Sequence, residues 1–179
     1  MTDVLYHFSE DATIERFTPH VPRTNPTEAP AVWAIDTEHA PLYWFPRDCP
    51  RVAAWPRNEA EAHVFRTALQ TTAHRVQAIE LEWLERMRAT VLHRYTFDAG
   101  AFTRWPKASG QWVSHRVVEP VDVAPVGDLL DTHVAAGVEL RLVASLWPMH
   151  DLVVDEAWDF SIVRMTNAAP RAVERGPSP

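Results

Sequence analysis

Apolar and polar positions alternate with period two at the front of the chain. In "VLYHFS" (4–9), Leu5, His7 and Ser9 fall on one face of a strand and Val4, Tyr6 and Phe8 on the other. "DATIERFTPH" (11–20) reads as a turn with a short helical element, Ile14 and Phe17 being three apart. "VPRTNPTEAP" (21–30) is rich in proline and polar residues and reads as a loop. "AVWAID" (31–36) is a short buried strand, followed by a short helix in "TEHAPLYWF" (37–45) that Asp36 or Thr37 caps. "FPRDCPRVAAWPR" (45–57) reads as a proline-stiffened loop.

The second half alternates between the two periods. "NEAEAHVFRTAL" (58–69) has a helical stripe and an asparagine cap, and "LEWLERMRAT" (81–90) places Leu81, Leu84 and Met87 at helical spacing. "HRVQAIE" (74–80), "VLHRYTF" (91–97), "VELRLVA" (138–144) and "WDFSIVRM" (158–165) read as strands, and "GQWVSHRVVEPVDV" (110–123) as a strand that breaks near Pro120. "APVGDLLDTHVAAG" (124–137) is a helix stopped by Gly137. Strands and helices intermix without regular alternation, which predicts an α+β fold: one domain over 1–168, and a disordered tail over 169–179.

Composition narrows the classes. The chain has 179 residues, 46% of them hydrophobic, enough for a sizeable core. Its net charge of −7 gives no general attraction to nucleic acid or anionic membrane. Lys107 is the only lysine, so the cationic groups are nearly all arginine, the side chain suited to bidentate phosphate binding. Cys49 is alone, which excludes an intramolecular disulfide and a thiolate zinc site, and the histidines show no metal-ligand spacing. With no apolar run of spanning length and no secretory pattern, a cytoplasmic protein is the expectation.

Two stretches carry candidate chemistry. His7 is either a core histidine satisfied by backbone groups or a side chain presented to a cleft. In the proline-rich stretch, Arg47 and Arg51 either face a phosphate, held at low entropic cost by the stiff loop, or pair with Asp48. A nucleophilic Cys49 would need a partner base, which no spacing shows.

Three segments together resemble the ADP-ribosyltransferase-like fold. "LYHFS" is similar to its first strand, "VWAIDTEHAPLYW" to its second strand and small helix, and "GQWVSHRVVEP" to a late strand of RNA 2′-phosphotransferases. The likeness covers residues 4–57 and 109–121. "YHFSED" and "FPRDCPR" also resemble a bacterial family of unknown function. The resemblance implies mixed or antiparallel sheets with peripheral helices and a cleft for NAD or another nucleotide-bearing small molecule. It implies that His7 and Ser9 bond the ribose, that Tyr43 stacks on nicotinamide beside Trp33, and that Arg47 and Arg51 take phosphates. Where many such enzymes use glutamate to stabilise an oxocarbenium-like transition state, this chain has Gln111; Glu119 and then Glu139 are the next carboxylates. The implied activity is transfer of ADP-ribose from NAD, or acceptance of a 2′-phosphate, onto an unidentified acceptor. The rivals are a binding or structural protein that keeps the fold without the chemistry, and a hydrolase built on a carboxylate–histidine pair.

Overall fold

Short apolar runs bounded by proline and glycine become strands of two separate sheets. The structure is a computed structural model that describes residues 4–21, 26–156 and 158–171. It contains strands β1 (Val4–Ser9), β2 (Val32–Ile35), β3 (Arg51–Trp55), β4 (Arg75–Glu80) and β5 (His93–Asp98). They are followed by β6 (Thr103–Arg104), β7 (Gln111–Ser114), β8 (Asp122–Pro125), β9 (Val138–Val143) and β10 (Asp159–Val163). The helices are α1 (Glu59–Leu69), α2 (Leu84–Ala89), α3 (Leu129–Ala135) and α4 (Trp147–Asp155). The fold class is α+β, as the intermixed pattern predicts.

The chain forms two compact units, each assembled from two stretches: Met1–Arg47 with Met87–Ala136, and Asp48–Arg86 with Gly137–Pro179. The first unit holds a six-stranded sheet in the order β6-β7-β2-β1-β5-β8, antiparallel throughout. Leu5, Val32, Ala34, Tyr95 and Phe97 point to one face of it, where Phe17, Phe102 and Val118 cover them. Paired residues share a face, so the register Leu5↔Phe97 and His7↔Tyr95 places His7 on this core side.

The second unit holds the order β10-β3-β4-β9, antiparallel except for the parallel β4–β9 pair. Val52 and Ala54 of β3 and Val76 and Ala78 of β4 alternate onto a core with Phe65 and Leu69 of α1 and Met149 and Val153 of α4. Asn58 caps α1 by accepting from the Glu61 N–H at 3.0 Å.

Several expectations are corrected. The proline-rich stretch contains a strand, because "RVAAW" between Pro50 and Pro56 is buried on both faces and carries no alternation to read. "TEHAPLYWF" shortens to one 3-10 turn, Ala40–Tyr43. Residues 11–20 hold no helix: the Tyr95 hydroxyl donates to the Asp11 carbonyl at 2.6 Å and accepts from the Ile14 N–H at 3.1 Å, fixing an irregular segment. The strand that breaks near Pro120 is two strands at different places in the sheet, β7 beside β2 and β8 at the edge beside β5. β6 and α4 went unread.

The segment expected to begin a disordered tail is tied down. Glu80, 2% exposed, accepts from the Ala169 N–H at 2.9 Å and the Leu146 N–H at 3.2 Å. The Trp147 indole N–H donates to the Ala169 carbonyl at 2.8 Å, and Arg171 pairs with Asp151. Residues 172–179 lie outside the described residues. Charged acceptors of this kind stabilise strongly, because their loss strands buried donors. Glu80→Ala is expected to cost about 3 kcal/mol in urea unfolding and Glu80→Gln about half of that. Equal stability of Glu80→Ala and the parent would show that the carboxylate does not hold this segment.

Candidate functional site

β1 pairs with β5 along its whole length, but with β2 only at Tyr6↔Ile35. Where that short ladder stops, a small pocket of about 70 Å3 opens, lined by Tyr6, His7, Phe8, Trp33, Ala34, Ile35, Tyr43 and Gln111. That volume lies below the range usual for small-molecule sites, so the pocket takes at most one ring of a ligand and not a whole dinucleotide. Among the described residues, no lining side chain is a carboxylate.

Pleat and register sort these residues. Ile35 is opposite both Tyr6 and Gln111, so the three share the sheet face turned away from the core. Phe8 and Trp33 lie on that face by alternation, and the Trp33 ring meets Trp105 edge-on at 4.8 Å between centroids. The Gln111 amide donates to the Tyr43 hydroxyl, joining two residues 68 apart in sequence. This pair adds a polar feature to a largely apolar wall.

A buried lock holds that pair. Asp36 Oδ1 accepts from the His39 backbone N–H at 2.9 Å and from its ring Nδ1 at 2.8 Å. The Asp36 N–H donates to the Gly110 carbonyl at 3.0 Å, and His39 leads directly into the 3-10 turn that carries Tyr43. Burial opposes ionisation of Asp36, but the His39 bonds outweigh it and hold the carboxyl below its usual range. Gly110 has φ +72°, and a β-carbon there would fall 2.3 Å from the His39 ring. No residue but glycine fits both conditions.

His7 borders the pocket from the core side of the strand. Its Nδ1 donates to the Trp33 carbonyl at 3.0 Å across the gap, and its ring meets Phe17 edge-on at 4.9 Å. A carbonyl can only accept, so Nδ1 carries the proton and Nε2 is left with a lone pair in the neutral ring. Burial lowers its pKa, the Trp33 bond opposes this, and the His20 and Arg47 charges add to the lowering. His7 thus lines the same pocket as Tyr43 and Gln111, although alternation places its side chain on the Leu5 side of the strand.

The remaining expected site residues separate. Ser9 Oγ accepts from the Asp11 N–H at 3.1 Å in a local turn and does not line the pocket. Glu119 is exposed and bonded to Arg16 at 3.0 Å, outside the lining. Arg47 is exposed, and its backbone N–H donates to Glu10 Oε1 at 2.8 Å. Arg51 is 6% exposed and donates to the Cys49 carbonyl at 3.1 Å, so its guanidinium is structural and not presented to a phosphate in solvent. Glu139, in the second unit, bonds Arg141 at 2.7 Å. Cys49 is buried, which pushes its thiol up to about 12 and leaves it unreactive at neutral pH. Among the described residues, no three His, Cys, Asp or Glu side chains gather to hold a metal ion. No described helix is long and apolar enough to cross a membrane.

Sequence reasoning overlooked Tyr6, Phe8 and the Asp36–His39 pair. The alternation that groups Leu5 with His7 already places Tyr6 and Phe8 together on the other face, and that was the available signal. No local pattern marks Gly110 as the partner of a histidine 71 positions earlier.

Two outcomes follow from this geometry. Gly110→Ala should destabilise the protein by about 2 kcal/mol or more, from the left-handed backbone and the His39 overlap. It should also alter tyrosine and tryptophan fluorescence in the folded state; an unchanged spectrum and urea midpoint would remove the lock. For His7, the folded pKa lies below the unfolded value of 6.5. Its contribution is thus full above about pH 6.5 and declines as pH falls through the folded value. The melting temperature should drop more steeply between pH 7 and 5 in the parent than in His7→Gln. Parallel slopes would contradict that assignment.

No curated protein and no solved structure matches the chain. Residues 6–168 match the model of a family described as a family of unknown function (DUF6886), and the chain belongs to that family.

Proposed function

We propose that this protein binds NAD or a related nucleotide in the manner of the ADP-ribosyltransferase-like fold, with the nicotinamide ring in the pocket between Tyr43, Gln111 and Trp33. The observation that carries this reading is the Gln111–Tyr43 hydrogen bond. It brings together the second and third segments of the sequence resemblance on one pocket wall, next to the first. Tyr6, Phe8, Trp33 and Tyr43 offer π-faces to a positively charged pyridinium, which gains apolar contact and a cation–π attraction there. Gln111 offers its carbonyl oxygen to an amide or hydroxyl of the ligand. His7 holds the gap open at a fixed width through Trp33, and its Nε2 can accept from a ribose hydroxyl that enters the gap.

The lining favours binding over transfer. Cleaving the nicotinamide–ribose bond develops positive charge on the sugar, and a neutral amide at position 111 does little to stabilise it. Transfer of ADP-ribose, or acceptance of a 2′-phosphate, is the second reading and needs a carboxylate or cation supplied from outside the lining.

NAD and nicotinamide should raise the melting temperature of the parent protein, and Tyr43→Ala should weaken binding by about tenfold while the fold remains. Hydrolysis of NAD should be weak or undetectable in the parent and rise in Gln111→Glu. A folded parent that binds neither compound would dispose of the nucleotide reading. Vigorous native hydrolysis indifferent to Gln111→Ala would instead replace binding by catalysis at another residue.

A further inference from the structure

On β5, Arg94 is directly opposite Phe8, so its side chain rises from the same sheet face as Tyr6 and Phe8. Its guanidinium carbon stands 5.3 Å from the centroid of the Tyr6 ring, and both Tyr6 and Phe8 line the pocket. That ring contact holds the guanidinium beside the pocket.

Arg94 is poorly answered by the protein. No described residue hydrogen-bonds its guanidinium, and Nε is buried without a partner. Its nearest carboxylate oxygen, Asp122 Oδ2, is 3.8 Å from Nη2, too far for a hydrogen bond, and both side chains are about half exposed. Such a pair contributes little to stability, so the fold gives small reason for a cation at this position. Arginines elsewhere in the same unit do find acceptors: Arg16 bonds Glu119 through two nitrogens.

We infer that Arg94 is the anion-recognising residue of the pocket, taking the phosphate of a ligand whose ring lies between Tyr43, Gln111 and Trp33. The inference rests on the nucleotide reading above and adds its charge requirement: a phosphorylated nucleoside, not a free base or nucleoside. A planar guanidinium matches two phosphate oxygens, and the half-exposed side chain leaves its terminal nitrogens within reach of a ligand. Asp122 is then a competitor for the same guanidinium, which the ligand phosphate displaces.

The test compares nicotinamide riboside with nicotinamide mononucleotide, which differ by one phosphate, by calorimetry on the parent, Arg94→Gln, Arg94→Lys and Asp122→Asn proteins. The parent should bind the mononucleotide about tenfold more tightly, a preference weakened by salt. Arg94→Gln should abolish the preference, so that the variant binds both compounds alike, Arg94→Lys should restore part of it, and Asp122→Asn should enlarge it. A parent that binds the riboside but shows no preference, or a preference that survives Arg94→Gln, would overturn the role of Arg94 and leave the nucleotide reading standing. If neither compound binds the folded parent, both inferences fall together.

Discussion

The early end of the β1–β2 ladder is the constraint to which the first unit is built. Backbone N–H and C=O groups released from a sheet interior must find other partners, or the sheet loses several hydrogen bonds at its centre. Here the Trp33 carbonyl takes its proton from the His7 ring instead of from β1. The aromatic side chains of Tyr6, Phe8 and Trp33 wall the opening that this leaves. A site in the middle of a sheet is otherwise hard to make, since paired strands leave no room between them.

Rigidity at the opening comes from a buried network behind it. Asp36 receives two bonds from one histidine and gives one to Gly110, so the ends of two distant segments are joined through a single aspartate. Residues that carry the pocket's polar pair follow directly on each side: Tyr43 closes the turn after His39, and Gln111 follows Gly110. The arrangement resembles, in economy, a preorganised binding site whose supporting shell is fixed before ligand arrives. The carboxylate–histidine pair sits in that support and not in the lining.

Much of this was legible in the chain and some could not be. Period-two alternation in 4–9 grouped Leu5 with His7, and the register confirms that grouping; what it could not show is which face would be the core. Asn58 and Gly137 mark helix ends through local chemistry and needed no tertiary information. β3 escaped because a strand buried on both faces has no alternation and its flanking prolines read as a loop. Arg51 escaped with it, since a buried arginine bonded to a backbone carbonyl looks, in sequence, like one facing solvent. β7 and β8 read as one interrupted strand because nothing local says that seven residues carry the chain past three intervening strands. The resemblance in three short motifs pointed to residues 7, 33, 43 and 111, and these line one pocket; it also pointed to Ser9 and Glu119, which do not line it.

Each compact unit is completed by a stretch of chain made long after its first. On the ribosome, β1 and β2 emerge early but lack β5, β7 and β8 until residue 125 is made. β3 and β4 can pair once α1 between them is made, yet β3 waits for β10 and β4 for β9 before their outer edges are covered. The valine- and alanine-rich β3 thus spends most of synthesis as an open strand edge, the condition under which nascent chains aggregate. Order of emergence makes the pocket-bearing unit the first able to close, at Ala136, with the second following only when the last strand is released.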